Sequence, residues 1–192
     1  VGFMNNLGLM RRAAGQAAKA LECFRKIAGI TPDEPEIHIS LGNALKDLGE
    51  TEDAIAAYRQ ALALKTDYPE AYFNLAAAQH SAGNLEDALE YYDRALALNP
   101  DFAPALVNMG NVSKELRRSE EAIGCYKKAL EIDPDLVEAH INLGIVFHYF
   151  GQLEDTIESY QKALSINPDN AEVYYNLGCT FQVQGNVDEA SK

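Results

Sequence analysis

One stretch has a pattern that returns along the chain: Leu143-Gly144-Ile145-Val146-Phe147, followed by Gly151, Ala163, Leu164 and Pro168. Pro100, Pro134 and Pro168 stand 34 residues apart, and Pro32 lies two such intervals before Pro100. A small residue follows Leu or Met in the same frame, at Leu7-Gly8, Leu41-Gly42, Leu75-Ala76, Met109-Gly110, Leu143-Gly144 and Leu177-Gly178. Internal repeats of this length are typical of solenoids, in which each unit packs on its neighbours. The sequence therefore predicts a repeat architecture.

The composition of the 192 residues argues against several classes of protein. The formal net charge is −13, which would repel phosphates along most of the surface, so we expect no nucleic-acid partner. No run of 18 apolar residues occurs, so we expect no membrane insertion. Tryptophan is absent. Cys23, Cys125 and Cys179 lack metal-ligand spacing and indicate small apolar side chains in a reducing compartment, which predicts a cytoplasmic location.

The repeats fall into one register along the chain. First positions at residues 1, 35, 69, 103, 137 and 171 give five full repeats (1–34, 35–68, 69–102, 103–136, 137–170) and a partial sixth (171–192) in a single array over residues 1–192. Because the chain begins at a first position and stops within a repeat, we expect a longer parent protein.

Each repeat predicts two helices, A and B. Helix A covers roughly the first 14 positions, and a turn follows with Gly15, Gly49, Gly83, Gly151 or Gly185. Glycine is expected there because helices commonly end on a residue with positive φ. Repeat four has Arg117 instead, which should cost about 1 kcal/mol if the same backbone shape is kept.

Helix B carries a packing stripe. It begins near acidic pairs such as Glu86-Asp87, which suit the positive end of the helix dipole. It ends before Asn-Pro or Asp-Pro pairs such as Asn99-Pro100. Position 20 is small, position 24 is aromatic (Phe24, Tyr58, Tyr92, Tyr126 and Tyr160), and position 27 is mostly Ala. This spacing favours a seam between helices over an aromatic cofactor box, so we expect no cofactor.

At these positions the sequence resembles the tetratricopeptide repeat (TPR) family, over essentially its whole length. It departs from the family pattern in having no Trp at position 4 and no Tyr at position 11. The resemblance implies an all-α, right-handed superhelical solenoid of antiparallel helix pairs, with five full repeats plus the first helix of a sixth. It also implies that the A helices line the concave surface, where family members usually bind segments of other proteins.

A row of amides lies on the face of helix A that the resemblance places inside. Asparagine is a poor helix former, so another role retains it. An amide can pair with the backbone of an extended peptide, or it can hydrogen-bond between repeats as a structural element. The row is similar to the asparagine ladder of O-linked N-acetylglucosamine transferases. The candidates are Ser40, Asn74, Asn108, Asn142 and Asn176 at position 6, with Asn43 and Asn111 at position 9.

Two further rows flank the amides. Position 5 is an apolar row that either faces a ligand or is partly buried against the next repeat, with Ile39, Phe73, Val107, Ile141 and Tyr175. Position 12 is mostly basic, with Lys46, His80, Lys114 and His148. Position 2 carries Glu36, Glu70, Glu138 and Glu172, so opposite charges on the two rims would fix the direction of a bound segment.

Three hypotheses for function follow. The leading one is a protein-interaction scaffold that binds an extended peptide segment of a protein along the concave face of the A helices. The second is the substrate-recognition arm of a larger enzyme, such as a protein O-GlcNAc transferase-like glycosyltransferase. The third is a scaffold that self-associates end to end. The TPR clamp for the C-terminal carboxylate of heat-shock chaperones is disfavoured, because position 5 is never basic. No catalytic motif and no metal-ligand set occurs, so we expect this fragment not to be an enzyme.

Overall fold

The computed structural model describes residues 2–190, with side chains described as far as Gly185. Within this range every regular element is an α-helix, and there are eleven helices, which confirms the predicted all-α fold of five helix pairs and a sixth first helix. The helices are α1 (Gly2–Ala13), α2 (Ala17–Ala28), α3 (Pro35–Asp47), α4 (Thr51–Leu64), α5 (Pro69–Ser81), α6 (Leu85–Leu98), α7 (Ala103–Glu115), α8 (Ser119–Ile132), α9 (Val137–Tyr149), α10 (Leu153–Ile166) and α11 (Ala171–Ala190).

The chain divides into two compact units, Val1–Pro100 and Asp101–Lys192. In the first unit α1 packs against α2, α3 against α4 and α5 against α6, while the contacts α2–α3 and α4–α5 join successive pairs. In the second unit α7 packs against α8 and α9 against α10, and the contacts α8–α9 and α10–α11 join these elements. Odd-numbered helices are the A helices and even-numbered ones the B helices. The single array over residues 1–192 stays a prediction.

The contact between helices A and B of a repeat is formed by the residues at positions 20 and 24, as the sequence pattern predicts. Ala54 and Ala122, at position 20, are fully buried, as are the rings of Tyr58 and Tyr126 one turn later. Thr156 replaces Ala at position 20 of repeat five and is also buried, because its hydroxyl donates a hydrogen bond to the carbonyl oxygen of Gln152 at 2.8 Å. The alternation of small and large side chains lets an aromatic ring of helix B lie against the backbone of helix A.

The small residue at position 8 makes room for that ring. A Cβ atom placed on Gly110 would lie 2.6 Å from Cε1 of Tyr126, and one placed on Gly8 would lie 2.7 Å from Cε1 of Phe24. Carbon atoms do not approach so closely without repulsion, so a larger side chain would push the two helices apart. Repeat three has Ala76 at this position, which shows that one pair accommodates the extra methyl group.

The turns between helices A and B need a residue with positive φ. Gly15, Gly49, Gly83 and Gly151 have φ between 69° and 80°, and Arg117 holds the same shape with φ 59°. The side chain of an L-residue crowds the neighbouring carbonyl oxygen in this region, at a cost of about 1 kcal/mol. Arg117 therefore meets the condition under which the sequence predicts this cost.

Replacing Arg117 by Gly is expected to raise the free energy of unfolding by about 1 kcal/mol, because glycine adopts a positive φ without steric strain. Urea denaturation followed by circular dichroism measures the change. The matched control is the reverse exchange one repeat later, Gly151→Arg, which should lower stability by a similar amount. A loss of stability in Arg117→Gly would contradict the prediction.

The expected turn at Gly185 is wrong. Helix α11 runs from Ala171 to Ala190 without interruption, and Gly185 lacks the positive φ of its counterparts. Glycine permits a positive φ without requiring it, so the same residue type can continue a helix. Continuing α11 keeps the backbone hydrogen bonds of an existing helix, which is the more stable arrangement for these residues.

Candidate functional site

The candidate amides at position 6 differ in their surroundings although they share a place on the A helices. Asn142, on α9, is only 8% exposed, whereas Asn74 on α5 and Asn108 on α7 are half-buried. Ser40 donates a hydrogen bond from its hydroxyl to the carbonyl oxygen of Glu36 at 3.0 Å, within its own helix. The row is therefore not a uniform ladder.

Asn142 is engaged inside the protein. The ammonium group of Lys114, at the end of α7, donates a hydrogen bond to Oδ1 of Asn142 at 2.7 Å. Burial lowers the pKa of Lys114, while the neighbouring carboxylates of Glu115 and Glu138 act in the opposite direction. This bond links the A helices of repeats four and five. It supports the structural interpretation of the amide at this position.

Asn74 and Asn108 are different. Within the part of the chain that the structure describes, neither side-chain amide makes a hydrogen bond. Each amide offers two donors and an acceptor. Asn176 on α11 is likewise half-buried, and its side-chain amide makes no hydrogen bond to the described residues. Because a half-buried amide is held by its surroundings and shielded from bulk water, these three side chains are the position-6 asparagines that are best placed to bind another backbone.

The position-9 amides join helix A to helix B. The hydroxyl groups of Tyr58 and Tyr126 donate hydrogen bonds to Oδ1 of Asn43 and Asn111, each at 2.8 Å. Burial raises the pKa of both tyrosines, which keeps their hydroxyl groups protonated as donors. Asn111 also donates from Nδ2 to Oε1 of Glu138 at 3.1 Å. The amide oxygens of Asn43 and Asn111 are thus occupied by the scaffold.

The expected solvent-facing apolar row at position 5 is wrong for two of its members. Ile39 is 8% exposed and Val107 is 4% exposed, so both are buried, which agrees with the alternative of burial and not with a row that faces a ligand. Phe73 is half-buried with its ring centroid 6.0 Å from that of Tyr92, and Ile141 is also half-buried. These side chains stabilise the scaffold because they remove apolar surface from water. Tyr175 on α11, at 73% exposed, does face solvent.

Basic residues at position 12 connect successive A helices. Nε of Arg12 lies 2.6 Å from Oδ2 of Asp47, and Nδ1 of His148 lies 3.2 Å from the hydroxyl oxygen of Thr180. Burial lowers the pKa of Lys46, and the positive charge of Arg12 lowers it further. His80 is half-buried on α5. Much of the predicted basic rim is thus occupied in links between repeats.

Family models match most of the chain. A model described as TPR repeat matches residues 42–83, 118–150 and 147–185. Two models described as Tetratricopeptide repeat match residues 69–102 and 91–124. The chain belongs to the tetratricopeptide repeat family. No curated protein matches this TPR chain in sequence.

Solved structures share the TPR fold. MamA is 27% identical, with a TM-score of 0.77 over 86% of this chain and 96% of its own. A Pseudomonas aeruginosa protein, pilF, is 19% identical, with a TM-score of 0.87 over 99% of this chain and 86% of its own. YrrB, whose structure is described as that of a TPR protein with an unusual peptide-binding site, is 22% identical, with a TM-score of 0.72 over 86% of both chains. The TPR repeat is generally a protein-interaction module without catalytic function.

The histidines of the TPR repeats have structural partners. Nε2 of His38 lies 2.6 Å from the carbonyl oxygen of Pro32, and Nε2 of His140 lies 2.9 Å from that of Pro134. Because a carbonyl oxygen only accepts, each ring donates from Nε2. Across the described residues no group of three His, Cys, Asp or Glu side chains is arranged to hold a metal ion. In the same range no helix has the length and apolar character to cross a membrane.

A cavity in the second unit was not predicted from the sequence. It has a volume of about 520 Å³ and lies between the end of α7, the start of α8 and the end of α9. Arg117, Ser119, Tyr149 and Phe150 are among its lining residues, and of these four only Arg117 stands out in the sequence. The sequence feature that could have indicated this cavity is Arg117 itself, because the other full repeats of this TPR protein have glycine at the same turn.

Proposed function

We propose that this TPR protein is a scaffold that binds extended peptide segments of partner proteins on its A helices, with Asn74 and Asn108 as backbone-binding amides. The observation that carries the proposal is that these two half-buried amides have no hydrogen-bond partner in the described residues, whereas Asn142 at the same repeat position does. TPR proteins bind protein or peptide partners, and YrrB is described as having a peptide-binding site.

The amide chemistry suits an extended segment. An extended backbone presents N–H and C=O groups in pairs, and an asparagine side chain can donate to one and accept from the other. Such recognition reads backbone shape and leaves side-chain preference to neighbouring residues.

Replacing Asn74 or Asn108 by Ala is expected to weaken the binding of a selected peptide by about tenfold, because each loses a hydrogen-bond pair. Peptides are first selected from a random library against the native protein, and their affinities are then measured by fluorescence anisotropy. The free energy of unfolding should hold or rise by a few tenths of a kcal/mol, since alanine is the better helix former.

Asn142→Ala is the matched control for this experiment. It removes the same side chain at the same repeat position, and we expect it to lower stability because Lys114 loses its partner at 2.7 Å. Unchanged peptide affinity in both Asn74→Ala and Asn108→Ala would overturn the assignment of these two residues. Failure to select any peptide would count against the proposed function as a whole.

A further inference from the structure

The cavity of about 520 Å³ in the second unit has the size of a ligand pocket. Its walls come from three helices, and they combine apolar and cationic groups. Ile145, Tyr149 and Phe150 form an apolar side, and Lys114 and Arg117 bring positive charge. Ser119, the first residue of α8, completes the wall near the turn.

The apolar side of the cavity is open to solvent. Tyr149 is 76% exposed and Phe150 is about half exposed, with ring centroids 5.4 Å apart in an edge-to-face arrangement. Two adjacent exposed aromatic side chains gain little from the fold itself, and aromatic side chains are enriched where proteins bind one another. A large apolar side chain of a ligand would be removed from water between these rings and Ile145.

The cationic side has one group without an internal partner. Lys114 is bound to Asn142, but in the described residues no hydrogen bond or ion pair reaches the guanidinium group of Arg117. This group stands in a protein whose net charge is −13. A guanidinium group binds carboxylates with paired hydrogen bonds, which are stronger than those between neutral groups.

Arg117 is also held in a backbone shape that costs stability. Four other turns of the same kind use glycine, and Arg117 alone among the described non-glycine residues has positive φ. Strained residues of this kind are often found at binding sites, where the position of the side chain offsets the cost. The backbone strain and the lining of the cavity are independent observations, and both involve Arg117.

A neighbouring cavity of about 360 Å³ restricts how a ligand lies. It shares Arg117, Ser119 and Phe150 with the first cavity, and it adds the guanidinium group of Arg118 and the carboxylates of Glu120 and Glu121. The positive charge there is opposed by two carboxylates, whereas the larger cavity is lined by Lys114 and Arg117 and by no carboxylate of the described residues. The larger cavity is therefore the more favourable position for the carboxylate of an acidic ligand.

We propose that the cavity of about 520 Å³ binds an acidic segment of a partner protein, with a large apolar side chain against Tyr149 and Phe150 and an adjacent carboxylate on Arg117. This site is additional to the peptide-binding amides, because it uses neither Asn74 nor Asn108. Its charge complementarity selects an acidic partner in spite of the acidic character of the protein.

The test uses a short fluorescein-labelled peptide in which Glu alternates with Leu, and the same peptide with Gln in place of Glu. In anisotropy titrations of the full chain, the Glu peptide is expected to bind about tenfold more tightly than the Gln peptide. Arg117→Gly should remove this preference while the protein becomes more stable. Tyr149→Ser should weaken both peptides, because it removes apolar surface that both use.

Two control variants show whether the preference for Glu arises at this cavity. Arg94→Gln, on the exposed side of α6, removes the same charge from the protein and should leave both affinities unchanged. Asn108→Ala removes a proposed backbone-binding amide and affects both peptides equally, so the ratio of the two affinities, and not either affinity alone, reports on this cavity and separates the two proposals. The proposal is overturned if neither peptide binds, if both bind equally, or if Arg117→Gly gains stability without losing the preference for Glu.

Discussion

Tyr126→Ala is expected to lower the free energy of unfolding of the second unit by about 4 kcal/mol, within the range for removing a large buried ring. The ring of Tyr126 is fully buried against the backbone of Gly110, and its hydroxyl group binds Asn111. Alanine leaves a cavity in the seam between α7 and α8, which neighbouring side chains cannot fill without moving the helices. Guanidinium denaturation with two spectroscopic probes measures the loss.

Tyr126→Phe is the control that separates the ring from its hydroxyl group. It keeps the ring in the seam and removes only the hydrogen bond of 2.8 Å to Asn111, so a loss of about 1 kcal/mol is expected. If the Phe variant were as unstable as the Ala variant, the hydrogen bond would stabilise this helix pair more than the packing of the ring.

Gly144→Val is expected to lower stability by about 3 kcal/mol, at the upper end for overpacked cores. A Cβ atom on Gly144 would overlap the ring of Tyr160, and the two methyl groups of valine add to the overlap. Because Tyr160 is buried, relief of this overlap requires that α9 and α10 separate. Thermal unfolding followed by circular dichroism compares this variant with the native protein.

Gly178→Val is the matched control, because Gly178 occupies the same repeat position on α11. No heavy atom among the described neighbours lies within 4 Å of a Cβ atom built there. The expected change is within about 0.5 kcal/mol, as for other substitutions that meet no neighbour. Similar losses in the two variants would mean that helix propensity, and not the tyrosine ring, sets the requirement for glycine.

The helix pairs were predictable because their packing repeats with the sequence. Each repeat needs the same local geometry at three places. These are the small residue at position 8, the aromatic residue at position 24 and the glycine after helix A. Arg117 shows how far this goes, since it keeps the positive φ of the glycines that stand at the same repeat position. Gly185 marks the limit, because glycine permits a turn without requiring one, and α11 continues through it.

The roles of the position-6 amides were not predictable from the register. Lys114 precedes Asn142 by the same number of residues as Lys46 precedes Asn74, yet only the first pair forms a hydrogen bond. Lys46 lies beside Arg12 and Asp47, whose charges act on it, whereas Lys114 lies beside two carboxylates. Equal spacing in sequence therefore does not give equal side-chain partners, because the surroundings of the two lysines differ.

The exposed aromatic pair at the mouth of the larger cavity has a practical consequence. The protein has no tryptophan, so Tyr149→Trp would place a single indole fluorophore beside Phe150 and Arg117. Its emission would shift toward the blue when a bound segment removes the ring from water. One substitution would thus turn this corner of the second unit into an optical sensor of its own occupancy, without a label on the ligand.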